Sequence, residues 1–394
     1  MAGLRKQLRG LALIGLRLVR NRWRRKVCWL ALGVATLAGC ASAPERRHPQ
    51  RSADEVRAQL VDLLPPRLAQ REGWAQDIEA AFRHLGLLQS TDNLCAALAV
   101  IEQETGYRAN PTVPNLPRIA RAEIERRAAR LKIPRIALAA VLRLPSGDGR
   151  SFEQRLQALR TEKDMSDLYA ELIARVPLGQ TLFDAANPVR TGGSMQVSIA
   201  FAEAHAKQQP YPYAGVQSIR DEVFSRRGGV YFGIAHLLQY PSSYERHLYR
   251  YADFNAGWYA SRNAAFQQAL SALSGVRLAL DGDLVLPDPG LFERSRSETE
   301  RVALSLSSVL GLSEARISRD LRRADRFDFE HTDTWRRVFE QADAQAGAPL
   351  PRARVPQIRL SSPKLTRSLT TEWFAERVES RYRQCINRAY RSAG

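Results

Sequence analysis

From residue 54 onward apolar positions recur every three or four residues, broken at short intervals by proline, glycine and serine. The pattern predicts helices over 54–64, 74–85, 92–105, 117–131, 134–142, 152–176, 195–207, 219–226, 230–238 and 259–273. It predicts four more over 298–310, 314–324, 334–344 and 370–389. Local chemistry agrees at several ends: Pro65-Pro66 stops the first helix, Ser90 is placed to cap the third and Gly106 to end it. Pro117 and Pro134 stand where a helix begins, a position that tolerates the missing N–H. The one strand expectation is a small hairpin over 277–286 around Asp281-Gly282. With no repeat and no heptad run, the expected class is mainly α.

Before residue 54 the pattern changes. Arg5, Lys6, Arg9, Arg17, Arg20, Arg22, Arg24, Arg25 and Lys26 precede an apolar run that begins at Trp29 and ends in Leu37-Ala38-Gly39-Cys40. A basic region, an apolar stretch and small residues form the plan of an export signal. The run is shorter than the roughly 20 residues of a spanning helix, which argues against a permanent transmembrane segment. Its last four residues resemble the lipobox of bacterial lipoproteins. That resemblance implies cleavage before Cys40, diacylglycerol on its thiol and a lipid-anchored product, with 41–52 as a flexible tether. Ala41 stands where the family's inner-membrane retention signal would have Asp, so the resemblance implies the outer membrane and a body facing the periplasm. The long basic region also fits a translation start further in, near Val27.

Charge adds little. The net +18 of the 394 residues falls to +9 once the nine basic residues of the first 40 are set aside, which leaves 50 basic against 41 acidic. A surplus of that size suits an anionic cell-wall or membrane surface, and equally plain solubility; an exported lipoprotein would not meet nucleic acid. With Cys28 removed with the signal and Cys40 acylated, Cys95 and Cys385 are left, and an oxidising compartment permits them to bridge. Bridging requires Cα atoms within about 7 Å, a condition only the fold decides.

One helix carries the candidate chemistry. Leu94, Leu98, Ile101 and Thr105 define its buried face, and Glu104, three residues after Ile101, projects at the border of that face near the helix end, while Glu102 points away. Partial desolvation and the negative end of the helix dipole both disfavour a charged carboxylate there, which suits a general acid. A capping or surface role is the ordinary alternative. The six histidines (48, 84, 205, 236, 247 and 331) show no pair at metal-ligand spacing, and there is no phosphate loop or serine elbow. His236 is expected to pack between helices.

The string Ile101-Glu-Gln-Glu-Thr-Gly-Tyr107 resembles the Glu-Ser-x-Phe element of lytic transglycosylases, in the goose-type lysozyme-like superfamily, with Thr105 for Ser and Tyr107 for Phe. Gly192-Gly-Ser-Met-Gln-Val197 resembles their Gly-Leu-Met-Gln turn. Arg227-Gly-Gly-Val-Tyr-Phe-Gly followed by Tyr251-Ala-Asp-Phe-Asn-Ala-Gly257 resembles their closing helix and Tyr-Asn-Ala-Gly. The whole chain also resembles an uncharacterised family of bacterial lipoproteins, for which no activity is established.

The transglycosylase resemblance implies a lysozyme-like domain over 53–275, with a helical insertion at about 110–190 and a helical carboxy-terminal region over 276–394. It implies Glu104 as the single catalytic carboxyl, where most glycosidases use two. Glu104 would protonate the oxygen between N-acetylmuramic acid and N-acetylglucosamine, then act as base while the C6 hydroxyl closes a 1,6-anhydro ring. No cofactor or metal enters that scheme. Gly193 and Ser194 would offer backbone to the substrate, Gln196 and Asn255 amide hydrogen bonds, and Met195, Tyr231 and Phe254 an apolar platform for sugar rings. Helix packing is the alternative for Met195 and Phe254.

Two departures weaken the match. Phe254 replaces the family's Tyr, so a neighbouring Tyr249, Tyr251 or Tyr259 would have to supply the phenol; and the stretch after Glu104 is far longer than in simpler members. A glycan-binding protein with a degenerate site therefore remains an alternative, as does true hydrolysis using Asp253 or Asp184 as second carboxylate.

Overall fold

The computed structural model describes residues 51–175, 187–286, 295–360 and 368–392. The export signal, Cys40, most of the tether and Asp184 lie outside the described residues. The architecture is mainly α: α1 Ala53–Leu63, α2 Arg71–His84, α3 Thr91–Thr105, α4 Leu116–Arg130, α5 Arg135–Arg143, α6 Phe152–Gln157 and α7 Glu162–Arg175 come first. A two-stranded hairpin follows, β1 Thr191–Gly192 with β2 Val197–Ser198. Then come α8 Ile199–Gln208, α9 Ile219–Val223, α10 Arg226–Leu238, α11 His247–Ala256 and α12 Ala260–Ser274. The remainder is α13 Glu298–Ser305, α14 Ser307–Leu310, α15 Glu314–Leu321, a 3-10 turn Phe327–His331, α16 Asp333–Ala346, a second hairpin of β3 Arg359–Leu360 with β4 Leu369–Thr370, and α17 Thr371–Ser392.

Serine and threonine start most of these helices. Ser52 and Ser151 form reciprocal capping boxes with Glu55 and Gln154, and Ser90, Ser198, Ser225, Ser297 and Thr332 accept from backbone N–H groups of the first turn. The expected single helix over 152–176 is two. After Gln157 the chain turns, Thr161 Oγ1 accepts from Asp164 N at 3.2 Å, and an Asp164 carboxylate oxygen accepts from Thr161 N at 2.9 Å, which opens α7 anew. The expected helix over 298–310 likewise breaks at Leu306. No strand forms over 277–286: the Gln267 side chain on α12 takes the Gly282 N–H at 2.9 Å and donates to Asp281 at 2.8 Å, replacing a partner strand.

Among the described residues two apolar cores result. The first gathers α1 to α11 and takes in Phe374, Ala375, Val378 and Cys385 from the distant α17; the second gathers α12 to α16 around Phe266, Phe329, Trp335 and Phe339. Helix α3 is the centre of the first. Every residue from Leu94 to Ile101 is buried, so the helix is apolar all round rather than on one face. Its outer side is covered by α17, which Cys385 joins to Cys95 in a disulfide with Cα atoms 5.6 Å apart, and which Arg381 ties to Glu102 and Gln103 at 3.0 Å each. Among the described residues no helix is long and apolar enough to cross a membrane.

The disulfide spans 290 residues, and closing so long a loop in the unfolded chain carries a chain-entropy ceiling of about 4–6 kcal/mol. Reduction, or the paired Cys95→Ala and Cys385→Ala substitutions, should lower the urea midpoint clearly and speed amide exchange in α17 first.

Candidate functional site

The glycine turn is built by close backbone approach. The residues 193–196 close the β1–β2 hairpin, with Gln196 N donating to Gly193 O at 3.1 Å. Gly193 has φ of +75°, and a Cβ there would lie 2.1 Å from the Val223 carbonyl oxygen. On the facing helix, a Cβ on Gly229 would lie 2.8 Å from Ser194 N, and one on Gly233 2.4 Å from Met195 Sδ. Glycine on both sides thus lets the hairpin lie directly on α10. The expected helix over 195–207 consequently starts only at Ile199, after β2, with Ser198 as its cap.

Thr105, at the end of α3, reaches this turn. Its hydroxyl donates to Ser194 O at 2.9 Å and to Ile101 O at 3.2 Å, so residues 89 apart in sequence are locked together. Glu104 stands beside it, half-buried, on the last turn of α3. Tyr107 turns back under the helix with its hydroxyl on Leu98 O at 3.2 Å, and burial pushes its pKa well up.

Gln196, in left-handed backbone conformation at φ of +51°, points its amide the other way, donating to Glu162 at 2.9 Å. Glu162 is only 4% exposed, yet it lines a groove of about 950 Å³ between α4, the start of α7 and the segment 188–191. Leu116, Ile119, Met165 and Val189 form the groove's apolar wall, and Arg118, Arg126, Arg127 and Arg190 its basic one. Within it Glu123 is paired with Arg126 and Arg127, whose bonds outweigh burial and hold its carboxyl below the usual range. Glu162 escaped the sequence reading because an acid in the first turn of a helix normally serves the dipole.

Other expected site residues sit differently. Met195 and Tyr231 are fully enclosed, Met195 against Gly233 and Tyr231 among His205, Tyr211 and Phe232, so both are core and present no face to a sugar. Ser194 is also enclosed, its hydroxyl without a hydrogen-bond partner among the described residues. Phe254 is half-buried, its ring against His236 at 5.1 Å, and Asn255 is exposed, accepting from the Thr371 hydroxyl of α17 at 3.0 Å. Of the phenols near Phe254, Tyr259 donates to Pro241 O at 3.0 Å, Tyr251 is buried with its hydroxyl unpartnered among the described residues, and Tyr249 is partly buried with its ring 5.6 Å from that of Tyr244.

Asp253 cannot serve as a second catalytic carboxylate. It is fully buried and takes hydrogen bonds from Tyr244 and Tyr240 hydroxyls at 2.7 and 3.1 Å and from Ser261 and Tyr259 N–H groups at 2.7 and 3.0 Å. Burial raises its pKa against those bonds, and the four donors make it the joint between α11 and α12. His236 packs between Phe201, Phe254 and Trp258, and burial lowers its pKa to about 4. Among the described residues no group of three or more His, Cys, Asp or Glu is placed to hold a metal ion.

The fold is mainly helical, with a glycine hairpin laid on one helix and clamped to another. Residues 67–388 match the family described as "Protein of unknown function (DUF1615)", and the chain is a member of that family. It is 48% identical over 356 residues to "Uncharacterized protein YaiW" of Escherichia coli (strain K12), a match covering 90% of this chain and 96% of that one. No solved structure matches it.

Two outcomes follow from this geometry. Gly193→Ala should cost about 2–4 kcal/mol in denaturant unfolding, since a methyl group must displace the Val223 carbonyl in a left-handed conformation. His236 stays neutral in the folded protein while the unfolded chain protonates it below about pH 6.5. Its contribution is therefore complete above that pH and falls as pH drops toward 4, by about 2 kcal/mol between pH 7 and pH 5. Urea unfolding of His236→Leu at the two pH values should show a correspondingly smaller loss.

Proposed function

We propose that this protein acts on the glycan strands of peptidoglycan as a lytic transglycosylase, with Glu104 as general acid and then base. It works as a lipoprotein anchored through Cys40 on the periplasmic face of the outer membrane. The reading is carried by the Thr105 to Ser194 hydrogen bond, which joins the helix end bearing the half-buried Glu104 to the glycine turn. Two of the elements resembling the transglycosylase pattern thereby meet although 89 residues separate them. Asn255, from the third resembling element, accepts from the Thr371 hydroxyl at the start of α17, the helix whose Arg381 and Cys385 hold α3. The groove beyond Gln196 offers apolar surface with arginines, chemistry that suits sugar faces and the carboxylates of muramic acid and stem peptides.

A second reading, a glycan-binding lipoprotein without the reaction, is favoured by one observation: Met195 and Tyr231 are enclosed and Phe254 lacks a hydroxyl, so much of the expected sugar platform is absent.

Digestion of purified sacculi separates the two. Wild-type protein should release fragments with 1,6-anhydro ends, detected by mass spectrometry, and Glu104→Gln should lower that yield about 100-fold or more while still sedimenting with sacculi. Equal yields from both proteins would remove Glu104 from the reaction. Binding without release by wild type would favour the second reading, and reducing ends would indicate attack by water.

A further inference from the structure

The most exposed large apolar side chain among the described residues, Ile136, lies on the arm formed by α5 and its flanks. Ile136 is 86% exposed, and Leu131, Ile133, Val141 and Leu144 are exposed beside it. Helical spacing places Ile136, Ala137, Ala140 and Val141 on one side of α5, with exposed Ile133 and Leu144 flanking its two ends. Leu138 and Leu142 leave from another side and pack into the first core. The short helix is therefore apolar on two faces, of which the body of the protein covers one. A bare aliphatic face of this kind is costly to keep in water and marks a contact surface.

Its charge says what the contact is. From Arg126 to Ser146 there are six basic residues and no acidic one. Arg130, Lys132, Arg135 and Arg143 are exposed, and none of the four makes an ion pair with a described residue. The exposed side chains of the arm are aliphatic and basic, with no Trp or Tyr of the sort that anchors protein interfaces. Aliphatic residues that enter the acyl boundary, rimmed by Lys and Arg that reach headgroup phosphates, are the composition of a helix lying in a bilayer interface.

We infer that the arm of residues 131–144 docks on an anionic phospholipid surface. Ile133, Ile136, Val141 and Leu144 enter the headgroup region, and Arg130, Lys132, Arg135 and Arg143 meet the lipid phosphates. A lipid at Cys40 would hold the body near such a surface, and the arm would then fix which side faces the bilayer. The inference does not depend on Glu104 or on any activity of the glycine-turn site.

Amide hydrogen exchange of the full chain, mixed with vesicles, tests it. With vesicles of phosphatidylglycerol and phosphatidylethanolamine, peptides covering 131–144 should exchange about tenfold or more slowly than in free protein. Pure phosphatidylcholine vesicles, or anionic vesicles in 0.5 M salt, where the Debye length is about half its physiological value, should leave them fast. Ile136→Asp and Val141→Asp should each abolish the protection, while exchange in α3 stays unchanged and shows the fold intact. Fast exchange of the arm on anionic vesicles would overturn the inference, as would equal protection on phosphatidylcholine, or protection that survives both substitutions.

Discussion

Burial of the middle of helix α3, from Leu94 to Ile101, is the constraint on which the rest of the structure depends. Eight consecutive apolar or small residues, Leu94 to Ile101, give this helix no side that can face water. Helices α10 and α17 both pack against it, and the disulfide from Cys95 to Cys385 makes the outer cover permanent in an oxidising compartment. Because α17 comes from the far end of the chain, the amino-terminal core is completed by residues that follow the second core in sequence.

Burial of α3 has a functional corollary. A helix held on every side presents its last turn in a fixed position, and that turn carries Glu104 and Thr105. The glycine hairpin is fixed from the opposite direction, by backbone contact with α10 that a single methyl group would disrupt. The Thr105 hydroxyl joins the two. On the proposed reading of Glu104 as general acid, this support would keep its proton within hydrogen-bond reach of the bond to be cleaved. The same rigidity explains why Met195 and Tyr231, on the inner side of the hairpin and helix, are structural: they fill the space that allows the turn to sit so low.

The carboxylates show how environment assigns roles to one side-chain type. Asp253 is surrounded by four donors and closed to solvent, so it joins two helices. Glu102 faces Arg381 and fastens α17. Glu162 is almost as buried as Asp253 but borders a groove and takes the Gln196 amide, so one hydrogen bond links the groove's lining to the glycine turn. Glu104 shares its helix with Glu102 and differs from it by two positions, enough to place it on a different side.

The sequence by itself determined the mainly helical class, most helix positions and many of their caps, because apolar periodicity and serine or threonine capping act over a few residues. It also marked Glu104 and the Gly192-Gly193 turn as a pair to examine. Some local signals were present and passed over, as at Thr161-Glu-Lys-Asp164, whose capping pattern splits the expected long helix. Tertiary structure alone decided that α17 covers α3, that Cys95 and Cys385 come within bonding distance, and that Gln267 satisfies the 281–283 turn in place of a strand. It decided too which of Met195, Tyr231, Phe254 and Asn255 reach solvent. Each of these depends on contacts between residues tens or hundreds of positions apart, where periodicity along the chain carries no information.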